Sequence, residues 1–370
     1  MRIAIDAIPL LLRSAGVKTY VYNWFRSLRR VARSDEVVAW PFLRPADDYS
    51  HEESVVGFTQ TLARLAFLHA ANYSGLPLLD WVGPKVDFFH ASQQLLNPPR
   101  KTRLTATLYD MTCWLVPETH SPRNVKGSRV FAERVVRRAD GLIAISNSTR
   151  DDAVRILGLS PDRIAVIYPG VAEPFFQTTP NCARVAAAKY GLSRPYVLFV
   201  GTIEPRKNID ALLEAFAQLP ASLRSEFELV LAGPAGWANP ETLARLRSPD
   251  SGARYLGYVP EQDLPGLTAG ATVFVYPSLY EGFGLPLGQA MAAGVPLITS
   301  NVSSMPEVAG DAALLVDPRS PSELAAAMQR LLLSPGLRAE LAQNGISLAK
   351  RYTWETCARQ SLEFFRGLRV

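Results

Sequence analysis

Tyr196–Gln218 reads YVLFVGTIEPRKNIDALLEAFAQ: an apolar run, a turn opened by Gly201, then a stretch whose apolar residues recur at helical spacing. An apolar run without alternation suits a parallel strand covered on both faces. A strand that passes through a glycine turn into a helix places that turn at the carboxyl edge of a sheet, where anions bind. Arg206 and Lys207 stand in the turn GTIEPRKN (Gly201–Asn208). There they can neutralise a diphosphate, Arg as a planar fork and Lys as a compact point charge. The plainer reading of such a pair is a solvated surface.

The same unit recurs along the chain. In the first half, Arg2–Ala7, Val37–Pro41, Val86–His90, Leu104–Tyr109, Gly141–Ser146 and Ile164–Tyr168 read as buried strands. Gly16–Val31, Ser128–Arg138 and Ser146–Gly158 read as helices between them, with Ser146 or Asn147 capping the last. The second series holds strands at Tyr196–Val200, Glu228–Ala232, Ala253–Leu256, Val273–Tyr276, Pro296–Ser300 and Ala313–Val316. Its helices include Ile209–Gln218, Leu285–Ala293 and Ser322–Leu333. Between the series, Pro169–Pro180 (PGVAEPFFQTTP) is proline-rich and aperiodic, which predicts an interdomain connection. The fold expected is α/β: two doubly wound parallel sheets whose carboxyl edges surround a shared cleft.

A chain of 370 residues suits two such domains. Cys113, Cys182 and Cys357 are odd in number and far apart, which predicts neither a disulfide framework nor a zinc site, and a cytoplasmic setting. No apolar run approaches membrane-spanning length, and the start leads directly into a strand pattern, so no signal peptide is expected. Residues 1–175 carry 22 Lys and Arg against 17 Asp and Glu, while residues 176–370 carry 17 of each. The basic half implies either an anionic partner or an arginine-rich surface. Residues 55–70 (VVGFTQTLARLAFLHA) read as a helix apolar around much of its girth: a core helix, or a patch touching a membrane or lipid-linked acceptor with help from Arg64 and Lys85.

A second strand-to-helix turn lies in PSLYEGFGLPLGQAMAAGVP (Pro277–Pro296), after the strand VFVY. Gly282 and Gly284 permit tight backbone geometry, and the helix that follows offers N–H groups to a phosphate or to sugar hydroxyls. Glu281, in a glycine-flanked and otherwise apolar loop, reads as a ligand contact rather than a helix cap. Gln289 lies about two turns further on.

These segments together resemble the retaining glycosyltransferases of family 4, which have the two-domain GT-B fold. The resemblance covers nearly the whole chain, through SAGVKTYVYNW (Ser14–Trp24), LYDMTCWLVPETH (Leu108–His120), Ala139–Val171, GTIEPRKN, LGYVPEQDLPGL (Leu256–Leu267), Tyr280–Pro318 and YTWE (Tyr352–Glu355). It implies that Arg206 and Lys207 grip the donor diphosphate, that Glu281 contacts the donor sugar, and that backbone amides of Phe283, Gly284 and Leu285 hold sugar and phosphate. The family's second motif glutamate, a ribose ligand, is Gln289 here, which keeps an acceptor oxygen without the charge. Tyr258 and Val259 are implied at the base pocket. The glycine-rich first loop is matched in part by Ser14-Ala15-Gly16, of which Gly16 carries over, and Lys18 is a candidate diphosphate contact or a surface residue.

Many relatives place His-Asp where this chain has Tyr109-Asp110, so no histidine role is assigned; Asp110 is a candidate for orienting the acceptor or a turn former. Glu118 and His120 follow as acceptor-side or plain loop residues. The resemblance further implies an acceptor-side domain over 1–172, a nucleotide-sugar-binding domain over 173–352, and a terminal helix, 353–370, packed back on the first. Transfer would proceed with retention and without a dedicated protein base, the leaving diphosphate taking the acceptor proton. No cofactor is expected beyond the nucleotide-sugar donor, a GDP-sugar such as GDP-mannose being favoured, and no metal: Asp47-Asp48 is a poor match to a metal-binding DxD. The expected acceptor is a saccharide or lipid-linked saccharide, with peripheral membrane contact through the basic half and no nucleic acid. A non-catalytic sugar-nucleotide-binding relative and a sugar-nucleotide epimerase are the competing readings. Alanine at Lys207 or Glu281 is expected to abolish transfer and leave the fold intact.

Overall fold

The computed structural model describes residues 1–11, 16–41, 58–237, 240–248 and 251–368. Its apolar runs form twelve strands among these residues. They are β1 (Arg2–Asp6), β2 (Glu36–Trp40), β3 (Phe88–Ala91), β4 (Arg103–Leu108), β5 (Gly141–Ala144), β6 (Ile164–Val166), β7 (Tyr196–Val200), β8 (Glu228–Ala232), β9 (Ala253–Tyr255), β10 (Val273–Tyr276), β11 (Leu297–Ser300) and β12 (Ala313–Val316). Every residue of β3, β5, β7, β8, β10 and β11 is buried, because helices cover both faces of a parallel sheet. The chain divides into two units, Met1–Gly170 with Trp354–Val370, and Val171–Thr353. The fold is GT-B, two Rossmann-like domains.

In the first unit the parallel order is β2-β1-β3-β4-β5-β6, so the chain reverses its direction of travel across the sheet at β1 and β3. Asp6, at the end of β1, accepts hydrogen bonds from the Ile8 N–H, the Ser92 N–H and the Ser92 hydroxyl, tying the ends of β1 and β3 together. The terminal helix Trp354–Gly367 belongs to this unit and buries Trp354, Cys357, Ala358, Ser361, Leu362 and Phe365. Trp24, on the helix Gly16–Val31, donates its indole N–H to the Ser361 hydroxyl at 2.9 Å, and Phe88 meets Phe365 with ring centroids 5.6 Å apart.

Two local expectations change. The helix expected from Ser128 begins at Pro122, capped by the Ser121 hydroxyl; its first turns are polar and carry no apolar period to reveal them. Pro169–Pro180 is not all connection: Glu173–Phe176 is helical within the second unit, and Phe175 is buried. The apolar stretch over 55–70 forms the helix Phe58–Tyr73, with residues 55–57 outside the described part.

In the second unit the order is β12-β11-β10-β7-β8-β9, and the reversal falls between β7 and β10. Ligands of doubly wound sheets sit outside the carboxyl ends at such a reversal. The loops that leave there are Gly201–Asn208 after β7 and Pro277–Gly284 after β10. These are the two turns singled out from the sequence.

Candidate active site

The loop after β7 is pinned before it carries any charge. Its Ile203 N–H donates to the Pro234 carbonyl, and the Gly236 N–H donates to the Ile203 carbonyl, so it runs beside the loop that leaves β8. Gly233 makes this approach possible: a Cβ there would lie 2.0 Å from the Gly201 carbonyl oxygen, and its φ is 144°. Asn208 turns the chain at φ 59° and donates its side-chain amide to the carbonyls of Pro277 and Pro318. The loop after β10 is fixed from the other side, where the Glu281 N–H donates to the Ser303 hydroxyl and the Ser304 hydroxyl donates to the Glu281 carbonyl.

Between these loops sits a buried ionic cluster. The Glu281 carboxylate takes the Arg206 guanidinium on Oε2 at 2.6 Å and the Lys207 ammonium on Oε1 at 2.6 Å. Arg206 also holds Glu204 at 2.5 Å and donates to the Tyr280 carbonyl at 2.8 Å. Lys207 donates to the Tyr276 hydroxyl, with its ammonium 4.8 Å from that ring's centroid. Burial on its own would push the Glu281 carboxyl up, but Arg206 and Lys207 outweigh it and hold it at about 2. Burial and the neighbouring Arg206 pull the Lys207 ammonium below its ordinary range, against the opposing effect of Glu281 and Glu204. Glu281 is therefore a carboxylate at neutral pH, clasped by two cations. This corrects the expectation of an otherwise apolar loop, because both cations reach it from the neighbouring strand's turn.

Gly284 opens the helix Leu285–Ala292 at φ 81°. At this end Pro286 lacks an N–H, and the Leu287 N–H donates to the Gly284 carbonyl. Phe283 is buried and edge-on to Tyr352, while Gln289 is half-buried in the helix's second turn. Past β9, Gly257 turns the chain at φ 68° and its carbonyl accepts from the Gly233 N–H. Val259 is buried there at 3% exposure and Tyr258 stands out at 56%. Two strand spacings, roughly 10 Å, separate β9 from β7, so these residues lie along the same sheet edge as the cluster and outside it.

The first-unit candidates lie on separate elements. Gly16 starts the helix Gly16–Val31 and is exposed, Lys18 is buried in its first turn, and Ser14, Ala15, Asp47 and Asp48 lie outside the described residues. Asp110 accepts from the Thr112 N–H and hydroxyl, a local turn that starts the short helix Thr112–Leu115. Tyr109 is buried edge-on to Tyr20, its hydroxyl pushed up by burial. Glu118 and His120 line an open hollow of about 520 Å³ with Lys126 and Arg129. His90, buried between Thr105 and Thr107, is pulled down to about 3 and stays neutral.

Glu204, Tyr276 and Ser303 contact the members of this cluster and are not among the candidates the sequence marks. Glu204 sits inside the GTIEPRKN turn, and its proximity to two cations was the available signal. Tyr276 and Ser303 reach the cluster only through pairings across 69 and 22 residues.

Comparison with known proteins agrees with this layout. Residues 14–173 match the family model described as Glycosyltransferase Family 4, and residues 187–348 match Glycosyl transferases group 1. The chain is 34% identical over 285 residues to O-antigen chain mannosyltransferase B of Escherichia coli, across 76% of this chain and 75% of that protein. Sucrose-phosphate synthase from Thermosynechococcus elongatus superposes with a TM-score of 0.74 at 21% identity, over 100% of this chain and 99% of that one. The Anabaena protein HepE, solved in complex with UDP-glucose, gives a TM-score of 0.73 at 20% identity over 99% of each chain. At these identities the two structures bear on the fold alone.

Proposed function

The chain belongs to glycosyltransferase family 4, and from that premise we propose that it transfers mannose from GDP-mannose, with retention, to a saccharide or lipid-linked saccharide. The observation that carries the donor site is the buried Arg206–Glu281–Lys207 cluster at the strand reversal of the second sheet. A departing diphosphate needs charge stabilisation where it leaves, and fixed cations beside a helix start supply it without reorganisation. Glu281, kept ionised, accepts hydrogen bonds from sugar hydroxyls and orients the ring. Phe283, Gly284 and Leu285 offer backbone N–H groups to the phosphate and sugar. Gln289 takes the ribose, and Val259 with the backbone of Tyr258 takes the base. The leaving diphosphate accepts the acceptor proton, so no protein base is assigned. Mannose is preferred because the Escherichia coli relative is a mannosyltransferase.

Asp110 and the hollow lined by Glu118, His120, Lys126 and Arg129 are assigned to the acceptor side, where the two cations suit a phosphate-bearing acceptor. Among the described residues no helix is long and apolar enough to cross a membrane. Leu62, Tyr73, Leu76, Trp81 and Val82 are all exposed on and after the Phe58–Tyr73 helix, which supports peripheral contact with a bilayer.

A thermal-shift and calorimetric screen of GDP-mannose, UDP-glucose, dTDP-glucose and ADP-glucose tests the donor. Stabilisation by GDP-mannose above the others is expected, and preference for another donor overturns the mannose assignment. Proton NMR of the transferred sugar then reads the anomeric outcome. Because the protein's own cations are assigned the charge stabilisation, transfer should persist in excess EDTA.

A further inference from the structure

The ionic cluster contains one carboxylate more than donor recognition asks for. Glu281 has work to do on a sugar; Glu204, 5% exposed and 2.5 Å from Arg206, has none in the reaction as assigned. Two carboxyl side chains, Glu204 and Glu281, face the two cations Arg206 and Lys207, so the cluster's formal charges balance. A pocket that only had to attract a diphosphate would keep its positive charge. The guanidinium of Arg206 is instead held on both terminal nitrogens: one faces Glu204, the other the Tyr280 carbonyl and Glu281. Its planar fork spans the loops after β7 and β10, and the Leu279 N–H donates back to the Arg206 carbonyl across the same gap.

We propose that Glu204 is a positioning residue that serves as the built-in counter-anion of Arg206, so that a nucleoside diphosphate must compete with it for the guanidinium. This rests on the donor-site reading above. Glu204 keeps Arg206 aligned on Glu281 while the site is empty and weakens the grip on the diphosphate, which speeds its release after transfer. Two acidic groups contending for one guanidinium repel each other, and in a buried site that repulsion is little screened.

The test is calorimetric titration of GDP, and of GMP as control, into wild type, Glu204→Gln and Glu204→Asp. Glu204→Gln removes the charge and retains a hydrogen-bonding side chain. It should bind GDP about tenfold more tightly. GMP, which lacks the β-phosphate, should gain less. Glu204→Asp keeps the charge but draws it back by one methylene, and should fall between wild type and Glu204→Gln. In steady state, Glu204→Gln should lower both KM for the donor and kcat, because release slows. A residue that merely braced the loop would instead raise KM and bind GDP and GMP alike more weakly. Equal or weaker GDP binding in both variants overturns the proposal while the donor site stands. Should Glu204→Gln fail to fold, GDP binding by Glu204→Asp no tighter than wild type overturns it equally. If wild type binds no nucleoside diphosphate, the donor-site reading falls first and this inference with it.

Discussion

A carboxylate and an ammonium that bury each other cannot be removed one at a time without consequence. Sequence alone suggests that alanine at Lys207 or Glu281 would silence the site and spare the fold, but each is less than a tenth exposed and each neutralises the other. Stranding a buried charge costs on the order of 3–5 kcal/mol. Lys207→Ala and Glu281→Ala should therefore lower the thermal midpoint as well as abolish transfer. The double variant Lys207→Met/Glu281→Gln removes both charges, and should regain much of the midpoint while transfer stays lost. Scanning calorimetry beside a transfer assay checks this; a double variant as unstable as the sum of the singles would show that the pair is not coupled. Acid acts on the same bond: the Glu281 carboxyl at about 2 lies below its ordinary 4.5, so its stabilisation is present above about pH 4.5 and is lost as pH falls toward 2. In the first unit, Asp6 is raised to about 6 by burial and His90 is lowered to about 3. Between pH 4 and 6 the folded state keeps a proton on Asp6 that the unfolded chain has lost, so stability falls as pH rises. It denies His90 a proton that the unfolded chain holds, so stability rises by a comparable slope. Tyr20, Tyr109 and Cys357 nearby are all pushed up and stay neutral across this window. Asp6→Asn should expose the rising slope and His90→Gln the falling one, read as thermal midpoint against pH. Parallel profiles for the two variants would sink the compensation. Residue type and a position after a strand suffice to mark Arg206, Lys207 and Glu281 as candidates. Their clasp was not legible, since it joins groups 74 residues apart in sequence.

At the scale of elements, the strands of the second sheet could be read almost to the residue. Parallel strands buried on both faces leave an unbroken apolar run, and β7, β8 and β10 have the bounds their composition suggests, as does the less buried edge strand β12. Helix starts were legible where an apolar period follows a strand and its turn, as at Ile209 and Leu285, or where a cap meets an apolar period. Ser146 meets both conditions: its hydroxyl accepts from the Thr149 N–H and starts the helix Asn147–Leu157. Ser146→Ala should cost about 1–2 kcal/mol, toward the upper end because the hydroxyl also bonds the buried Thr149 side chain. A urea titration gives the value, and a change under a few tenths would mean the cap is idle. The start at Ser121–Pro122 lacks an apolar period and was passed over. The lacing of the loops after β7 and β8 was equally hidden, since it depends on Gly233 having no side chain. Gly233→Ala places a methyl 2.0 Å from the Gly201 carbonyl oxygen, and only backbone movement can relieve it. That movement displaces the turn bearing Arg206 and Lys207. GDP binding should fall at least about tenfold in calorimetry, and unchanged binding would show that the two loops move independently.

The molecule as a whole is two units of unequal covalent standing. The second is continuous, and its ends meet: the Val171 N–H donates to the Tyr352 carbonyl at 2.9 Å and Val171 pairs with Thr353. The first is discontinuous and depends on the terminal helix Trp354–Gly367 to finish its core. The side chains of Trp354, Leu362 and Phe365 are each at least nine-tenths buried there. At about 1.5–3 kcal/mol each they supply on the order of 5–9 kcal/mol, which rivals the entire net stability of a typical domain at about 5–15 kcal/mol. Losing that helix also strips the Ser361 hydroxyl from the Trp24 indole and the Phe365 ring from Phe88 and His90. The fragment 171–353 should therefore unfold cooperatively and retain GDP binding, because the whole ionic cluster lies within it. The fragment 1–170 should lack a cooperative transition and bind a hydrophobic dye, and addition of a 354–370 peptide should restore the transition. Circular dichroism melts of the two fragments decide the matter. A fragment 1–170 as stable as the full chain would show that the terminal helix is an ornament on the first unit rather than part of its core.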